Sequence, residues 1–145
     1  MKDRYLMPTQ EAGRALVMKQ TKGSIVMLNL IRFREIADYS GTPELMPNEP
    51  ISGKNAYQLY MEHTIPFLTA SGGEILFIGE GGAFLIGPAN EHWDAVLLIR
   101  QSSVNTFLAF ESNQDYMKGI GHRTAASEDS RLLPIIENKN GQDEI

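Results

Sequence analysis

Apolar and polar positions alternate along this chain with two different periods. Over residues 24–33 nearly every position is apolar, with Val26, Leu28 and Leu30 on one side of a two-residue period and Ile25, Met27, Asn29, Ile31 and Phe33 on the other. A run that is apolar on both sides predicts a central strand. Residues 93–100 follow the same period, with Ala95, Leu97 and Ile99 facing one way and Asp94, Val96, Leu98 and Arg100 the other. Over residues 52–71 the period becomes helical: Tyr57, Tyr60, Met61, Thr64 and Leu68 share a stripe, with Gln58, Glu62 and Thr69 opposite. Ser52 can cap that helix and Gly72-Gly73 can end it. Pro66 lies inside the pattern, where a missing N–H frees the carbonyl of Glu62.

The remaining segments are shorter. Residues 8–20 predict a helix capped by Thr9, with Ala12, Leu16 and Val17 as a weak stripe and Gly23 as its stop. Residues 35–51 hold Gly41, Pro43, Pro47 and Pro50 and read as a long loop. Residues 74–79 and 83–86 read as one strand bulged at Gly81-Gly82, or as two pieces of a bent strand. A helix capped by Ser102 or Ser103 carries Val104, Phe107 and Leu108; a further helix over residues 115–126 carries Tyr116, Met117 and Ile120. Residues 131–136 predict a last strand, and residues 137–145 a polar tail.

The predicted order is β-α-β-β-α-β, with one helix added before it and one before its last strand. That is the ferredoxin-like arrangement of the α+β class, a sheet with helices on one face. We divide the chain into an N-terminal helical extension at 1–23, a ferredoxin-like domain at 24–136 and the tail at 137–145.

Composition narrows the classes of function. The chain has 145 residues, enough for one domain, and a formal net charge of −5. It lacks the basic excess that draws a protein to nucleic-acid phosphates. It contains no cysteine, so disulfides, thiol nucleophiles and thiolate metal sites are excluded and a cytoplasmic setting is expected. No apolar run approaches the roughly 20 residues of a membrane span, and the first 23 residues lack the pattern of a signal peptide. His63, His92 and His122 show no metal-ligand spacing. Gly79-Glu80-Gly81-Gly82 lacks the lysine and hydroxyl residue of a phosphate loop. No cofactor is expected.

Several segments taken together carry a resemblance. They are residues 27–33, Met-Leu-Asn-Leu-Ile-Arg-Phe; Ala56-Tyr57 with Tyr60, Pro66 and Gly72-Gly73; Leu85-Ile86-Gly87-Pro88; Trp93-Asp94; and Tyr116 followed by His122-Arg123-Thr124-Ala125-Ala126 and Glu128-Asp129-Ser130-Arg131-Leu132. In this order they resemble the domain of unknown function 1330 family of bacterial proteins, over residues 24–136. The resemblance implies a ferredoxin-like subunit that dimerises through its sheet into a dimeric α/β barrel, and it brings no catalytic residue with it. By looser analogy the superfamily includes cofactor-free monooxygenases, haem-handling enzymes, lactone isomerases and plain ligand binders, so the fold alone selects no activity.

The candidate site residues come from chemistry. Asn29 is an amide in an apolar strand, and a buried amide needs partners. Either a loop backbone or a ligand inside the barrel can supply them. His122 suits general acid–base work near neutral pH. Arg123 and Arg131 are suited to grip a carboxylate, with Ser130 beside them. The opposing reading makes His122, Arg123 and residues 128–131 a clamp on the last strand. We lean to the clamp for Arg123 and Asp129, and to function for His122 and Arg131. Tyr60 and Trp93 read as packing residues that are also placed to touch a ligand. A serine hydrolase is disfavoured because no Gly-x-Ser-x-Gly turn is present.

The resulting expectation is a small-molecule-binding protein or enzyme. Its chemistry would be cofactor-free proton transfer or oxidation of a small, partly apolar compound, with His122 catalytic. The alternative is a non-catalytic homodimer that binds a metabolite or a protein. The homodimer face is assigned to Ile25, Met27, Ile31 and Phe33 with Ala95, Leu97 and Ile99.

Overall fold

A computed structural model describes residues 4–138. The order is α1 (Gln10–Met18), β1 (Ile25–Phe33), a 3-10 turn (Pro43–Leu45), α2 (Gly53–Ala70), β2 (Glu74–Ala83), β3 (His92–Gln101), α3 (Val104–Glu111), α4 (Gln114–Met117), α5 (Ile120–Ala126) and β4 (Ser127–Ile135). The sheet order is β2-β3-β1-β4, with every neighbouring pair antiparallel. This is the ferredoxin-like topology expected from the element order. The tail expected at 137–145 lies outside the described residues from 139 onward, as do residues 1–3 of the N-terminal extension.

Local chemistry explains the element boundaries. Thr9 Oγ1 accepts the N–H of Ala12 at 3.0 Å and starts α1. Ser52 Oγ accepts the N–H of Asn55 at 3.0 Å and starts α2. Ser103 and Thr106 form a reciprocal capping box at the head of α3. After α2 the chain reverses through Gly72, whose φ of +86° suits glycine.

Four expectations about the fold are corrected. The helices cover the face formed by Ile25, Met27, Ile31 and Phe33 with Ala95, Leu97 and Ile99, so this set is the core and not the dimer face. The open face carries Val26, Leu28 and Leu30 of β1, Val96 and Leu98 of β3, Phe77 of β2 and Leu133 of β4. Both faces are apolar, so alternation could not choose between them. The handedness of the crossover from β1 through α2 to the parallel strand β2 does. The second correction is that β4 begins at Ser127, so residues 127–130 pair with β1 and are not a loop before the strand. The third is that β2 is one strand ending at Ala83, with its register shift between Ile75 and Phe77 and not at Gly81-Gly82. The fourth is that the helix expected over 115–126 is two helices parted at Lys118-Gly119.

The main core gathers Ile31, Leu97, Tyr57, Tyr60, Tyr116 and Ala125 between sheet and helices. A second cluster joins Ile25 and Met27 to Val104 and Phe107 of α3, with Leu16 of α1 packed against it. Close packing of α2 onto the end of β1 depends on Gly53, where a Cβ would lie 2.7 Å from the carbonyl oxygen of Ala126.

Candidate functional site

Along α2, Tyr57, Met61 and Ile65 recur every fourth residue and so form one side of the helix. Opposite them stand Ile78 of β2, Ala95 and Leu97 of β3, and Phe33 at the end of β1. Between these walls lies a cleft of about 830 Å³. Ile65 and Ile78 are exposed to solvent along it, at 41% and 57%. The rim is polar: Arg34, Glu35, Lys54, Glu62, Glu80 and Asp94 all border the cleft. Lys54 and Glu80 form an ion pair of 3.5 Å between α2 and β2. Asp94 Oδ2 accepts the N–H of Phe33 at 2.7 Å, which fixes one carboxylate oxygen. The Tyr57 phenol is pushed above its ordinary range by burial, with Tyr60 adding to the shift. No histidine borders this cleft. It offers apolar surface and fixed charge, and His92 Nε2 lies 3.8 Å from Oδ1 of the rim carboxylate Asp94.

His122 lies elsewhere, on α5. Its Nδ1 is 2.7 Å from the hydroxyl of Tyr39, and the two rings meet edge to face at 5.5 Å between centroids. Burial, reinforced by the charge of nearby His63, lowers the pKa of His122 and favours neutral imidazole. A neutral ring with Tyr39 donating to Nδ1 carries its proton on Nε2, and that nitrogen has no hydrogen-bond partner among the described residues. His63 is held by its own Nε2, which lies 2.9 Å from the Asp115 carbonyl and 3.1 Å from that of Tyr116.

The polar residues of β4 are gathered around a third feature, the N-terminal segment at residues 4–6. Arg4 donates to the carbonyls of Glu128 and Ser127 at 2.6 and 3.2 Å. The N–H of Tyr5 donates to Asp129 Oδ1 at 2.9 Å, and Ser130 Oγ donates to the Tyr5 carbonyl at 2.5 Å. Arg123 donates to the carbonyl of Leu6 at 2.8 Å. Arg131 donates to Asp129 Oδ1 at 2.8 Å and to the Ser130 carbonyl at 2.7 Å. Burial alone would raise the Asp129 carboxyl; the bonds from Tyr5, Arg131 and Ser130 outweigh it and hold the group below its ordinary range. The Arg131 guanidinium also lies over two rings, 4.7 Å from the centroid of Tyr5 and 4.9 Å from that of Trp93. Arg32 approaches Trp93 to 4.9 Å, and the indole N–H donates to Glu91 at 3.0 Å.

The residues singled out in the sequence therefore fall into separate places. Arg123, Ser130, Arg131 and Trp93 belong to the strap that ties residues 4–6 to β4. Asn29 is buried beneath the helices, where its Nδ2 donates to the carbonyl of Met27 at 3.2 Å. Tyr60 is in the core, its hydroxyl 2.8 Å from that of Tyr116. His122 stands with Tyr39. None of these borders the α2–β2 cleft. Ile65, Ile78, Lys54 and Glu80 border the cleft without having stood out in the sequence; the four-residue spacing of Tyr57, Met61 and Ile65 was the available signal. The anchoring role of Arg4 and Tyr5 left no trace in side-chain pattern, because most of its bonds run to or from backbone.

No family model matches the chain, and no curated protein does. Among solved structures, the methylated RPA0582 protein is 32% identical over 96% of this chain and 98% of that one, with a TM-score of 0.84. A second structure, the RPA0582 protein of unknown function from Rhodopseudomonas palustris, is 33% identical over 94% of this chain and 99% of that one, with a TM-score of 0.82. A dimeric protein of unknown function with a ferredoxin-like fold from Bacteroides fragilis is 12% identical over 77% of this chain and 93% of that one, with a TM-score of 0.45.

Proposed function

We propose that this chain, which belongs to the family of the Rhodopseudomonas palustris RPA0582 protein, is a homodimer that binds a small, partly apolar molecule without transforming it. The observation that carries this reading is the α2–β2 cleft. Its volume of about 830 Å³ falls within the usual range for small-molecule sites. Solvent-exposed isoleucines face it from both walls, and a charged rim surrounds it. The polar residues gathered on β4 are paired with one another and with residues 4–6, as in a scaffold, while Thr64 Oγ1 and His122 Nε2 have no partner among the described residues. The homodimer is supported by the open sheet face, whose Phe77, Leu28, Leu98 and Leu133 pair side by side across the strands. The resemblance to the domain of unknown function 1330 family belongs to the same proposal, with residues 24–136 as its shared domain and residues 1–23 as an extension.

An environment-sensitive apolar dye and a small-molecule thermal-shift screen test the cleft. Compounds that raise the unfolding temperature of the wild type should lose their effect in Ile65→Glu and Ile78→Glu. Both side chains are partly exposed, so the unliganded variants should unfold near the wild-type temperature. Compounds that stabilise wild type and both variants equally bind elsewhere and remove the cleft from consideration.

A second reading keeps His122 as a proton-transfer residue. It is favoured by one observation, the neutral imidazole with Tyr39 on Nδ1 and no partner on Nε2. In that case His122→Gln abolishes turnover of a ligand once one is found, while Ile65→Glu weakens only its binding.

A further inference from the structure

The β2–β3 hairpin ends in an apolar tip. Leu85 is 100% exposed and Ile86 92% exposed, while Phe84 folds back toward Gly87. The tip is a built conformation. Gly82 and Gly87 bracket it with φ of +155° and +157°, values that L side chains rarely adopt. A Cβ on Gly87 would lie 2.8 Å from the Cβ of Phe84. Two large aliphatic side chains held clear of their own chain gain nothing for a monomer.

We propose that this tip is a docking arm that lies against a second copy of the chain, extending the interface made by the open sheet face. The proposal rests on the homodimer reading above and adds the element that completes the contact. Area is the first argument. With strands about 4.8 Å apart and about 3.3 Å per residue, the paired part of the four-strand face is about 20 Å by 23 Å, a footprint of roughly 450 Å². A stable interface takes about 800 Å² of accessible surface from each partner, and the exposed side chains of the tip add apolar surface beyond this flat footprint. Continuity is the second argument: Phe77 lies on the open face of β2, and where that strand ends at Ala83 the chain passes directly into Phe84, Leu85 and Ile86. Charge is the third. Residues 82–90 carry none, and the nearest charged neighbours in the chain are Glu80 and Glu91. Acidic flanks on a chain of net charge −5 disfavour an anionic membrane surface and leave an apolar protein surface as the suited occupant. In a two-fold dimer each copy gives its arm and receives the other.

Sedimentation velocity on the full chain tests the arm. Wild type should be a dimer at micromolar concentration. The double variant Leu85→Asp, Ile86→Asp should keep the wild-type circular dichroism and dissociate with a Kd at least tenfold higher. The chain has no cysteine, so Leu85→Cys adds a single reporter thiol. That thiol should react with a maleimide several-fold more slowly in concentrated protein than in dilute protein. A wild-type dimer whose Kd is unchanged in the double variant, or a thiol equally reactive at all concentrations, overturns the arm while leaving the dimer standing. A wild-type monomer overturns both. A monomer that binds phosphatidylcholine–phosphatidylserine vesicles through the tip assigns the arm to lipid instead.

Discussion

Tyr39 and His122 are 83 residues apart in the chain and 2.7 Å apart in the fold, phenol oxygen to Nδ1. Tyr39 sits in the segment between β1 and α2, and His122 is on α5. The contact ties a long connection to the helical layer. The Ile36–Ser52 bridge closes the same connection at its base, and the 3-10 turn Pro43–Leu45 packs its Leu45 against the core. A segment that reads as irregular is thus a fixed part of the structure.

That bond predicts a pH dependence. Burial, with His63 beside it, holds the His122 pKa below its ordinary 6.5. The unfolded chain takes up a proton on this ring as pH falls through about 6.5, while the folded chain resists. The contribution to stability is therefore complete above the ordinary pKa and is lost as pH falls toward the depressed folded value. Urea unfolding between about pH 7 and about pH 5 should show wild type losing stability with acid more steeply than His122→Gln. Tyr39→Phe should cost about 1 kcal/mol near neutral pH, the usual net worth of one such bond. Parallel pH profiles for wild type and His122→Gln would remove His122 from the acid response.

Gly121 predicts how tightly the same connection is seated. A Cβ there would lie 2.5 Å from Thr42 Oγ1 and 2.8 Å from Leu45 Cδ1. Gly121→Ala should push the connection off α5 and cost about 1–3 kcal/mol, the range for overpacking. Gly13→Ala is the control. Nothing lies within 4 Å of its Cβ, and it is inside α1. Alanine there should be stabilising by about 0.5–1 kcal/mol, through the lower flexibility of the unfolded chain. Chemical denaturation of both variants with unchanged m-values provides the check.

The strap predicts the effect of trimming the chain. Deleting residues 1–8 removes the N–H that Tyr5 gives to Asp129, the Tyr5 carbonyl that Ser130 uses and the Leu6 carbonyl that Arg123 uses. The truncated chain should still unfold in one cooperative step, with about 2–4 kcal/mol less stability for the buried polar groups left unpaired. The wild-type Asp129 pKa is depressed, so its stabilising contribution is present above the ordinary aspartate value and is lost as pH falls through the depressed one. Truncation should lessen this acid loss. Calorimetry at neutral and acid pH measures both effects. A truncated chain as stable as wild type would mean the strap is incidental.

Much of the architecture follows from the sequence alone, for reasons that are local. Strand and helix periods depend on neighbouring residues, so β1, β3 and α2 could be read directly. Side-chain caps at Thr9, Ser52 and Ser103 reach only three residues ahead, and all three are present. The β-α-β-β-α-β order followed, and with it the topology. The start of β4 escaped the reading because Ser127, Asp129 and Ser130 look like loop residues; pairing with β1 and bonds from Arg123, Tyr5 and Arg131 make them a buried strand. The covered face of the sheet was decided by the handedness of a crossover, since Val26, Leu28 and Leu30 are as apolar as the core set opposite. Asn29, His122 and Arg131 carry promising chemistry in the sequence, yet the fold sends them to a core, a loop clasp and a strap. The cleft instead arises from where α2 stands relative to β2, an inter-element distance that no short-range pattern encodes. Tyr5 meets Asp129 across 124 residues through its backbone N–H, a group every residue but proline carries, so only the tertiary structure could name it.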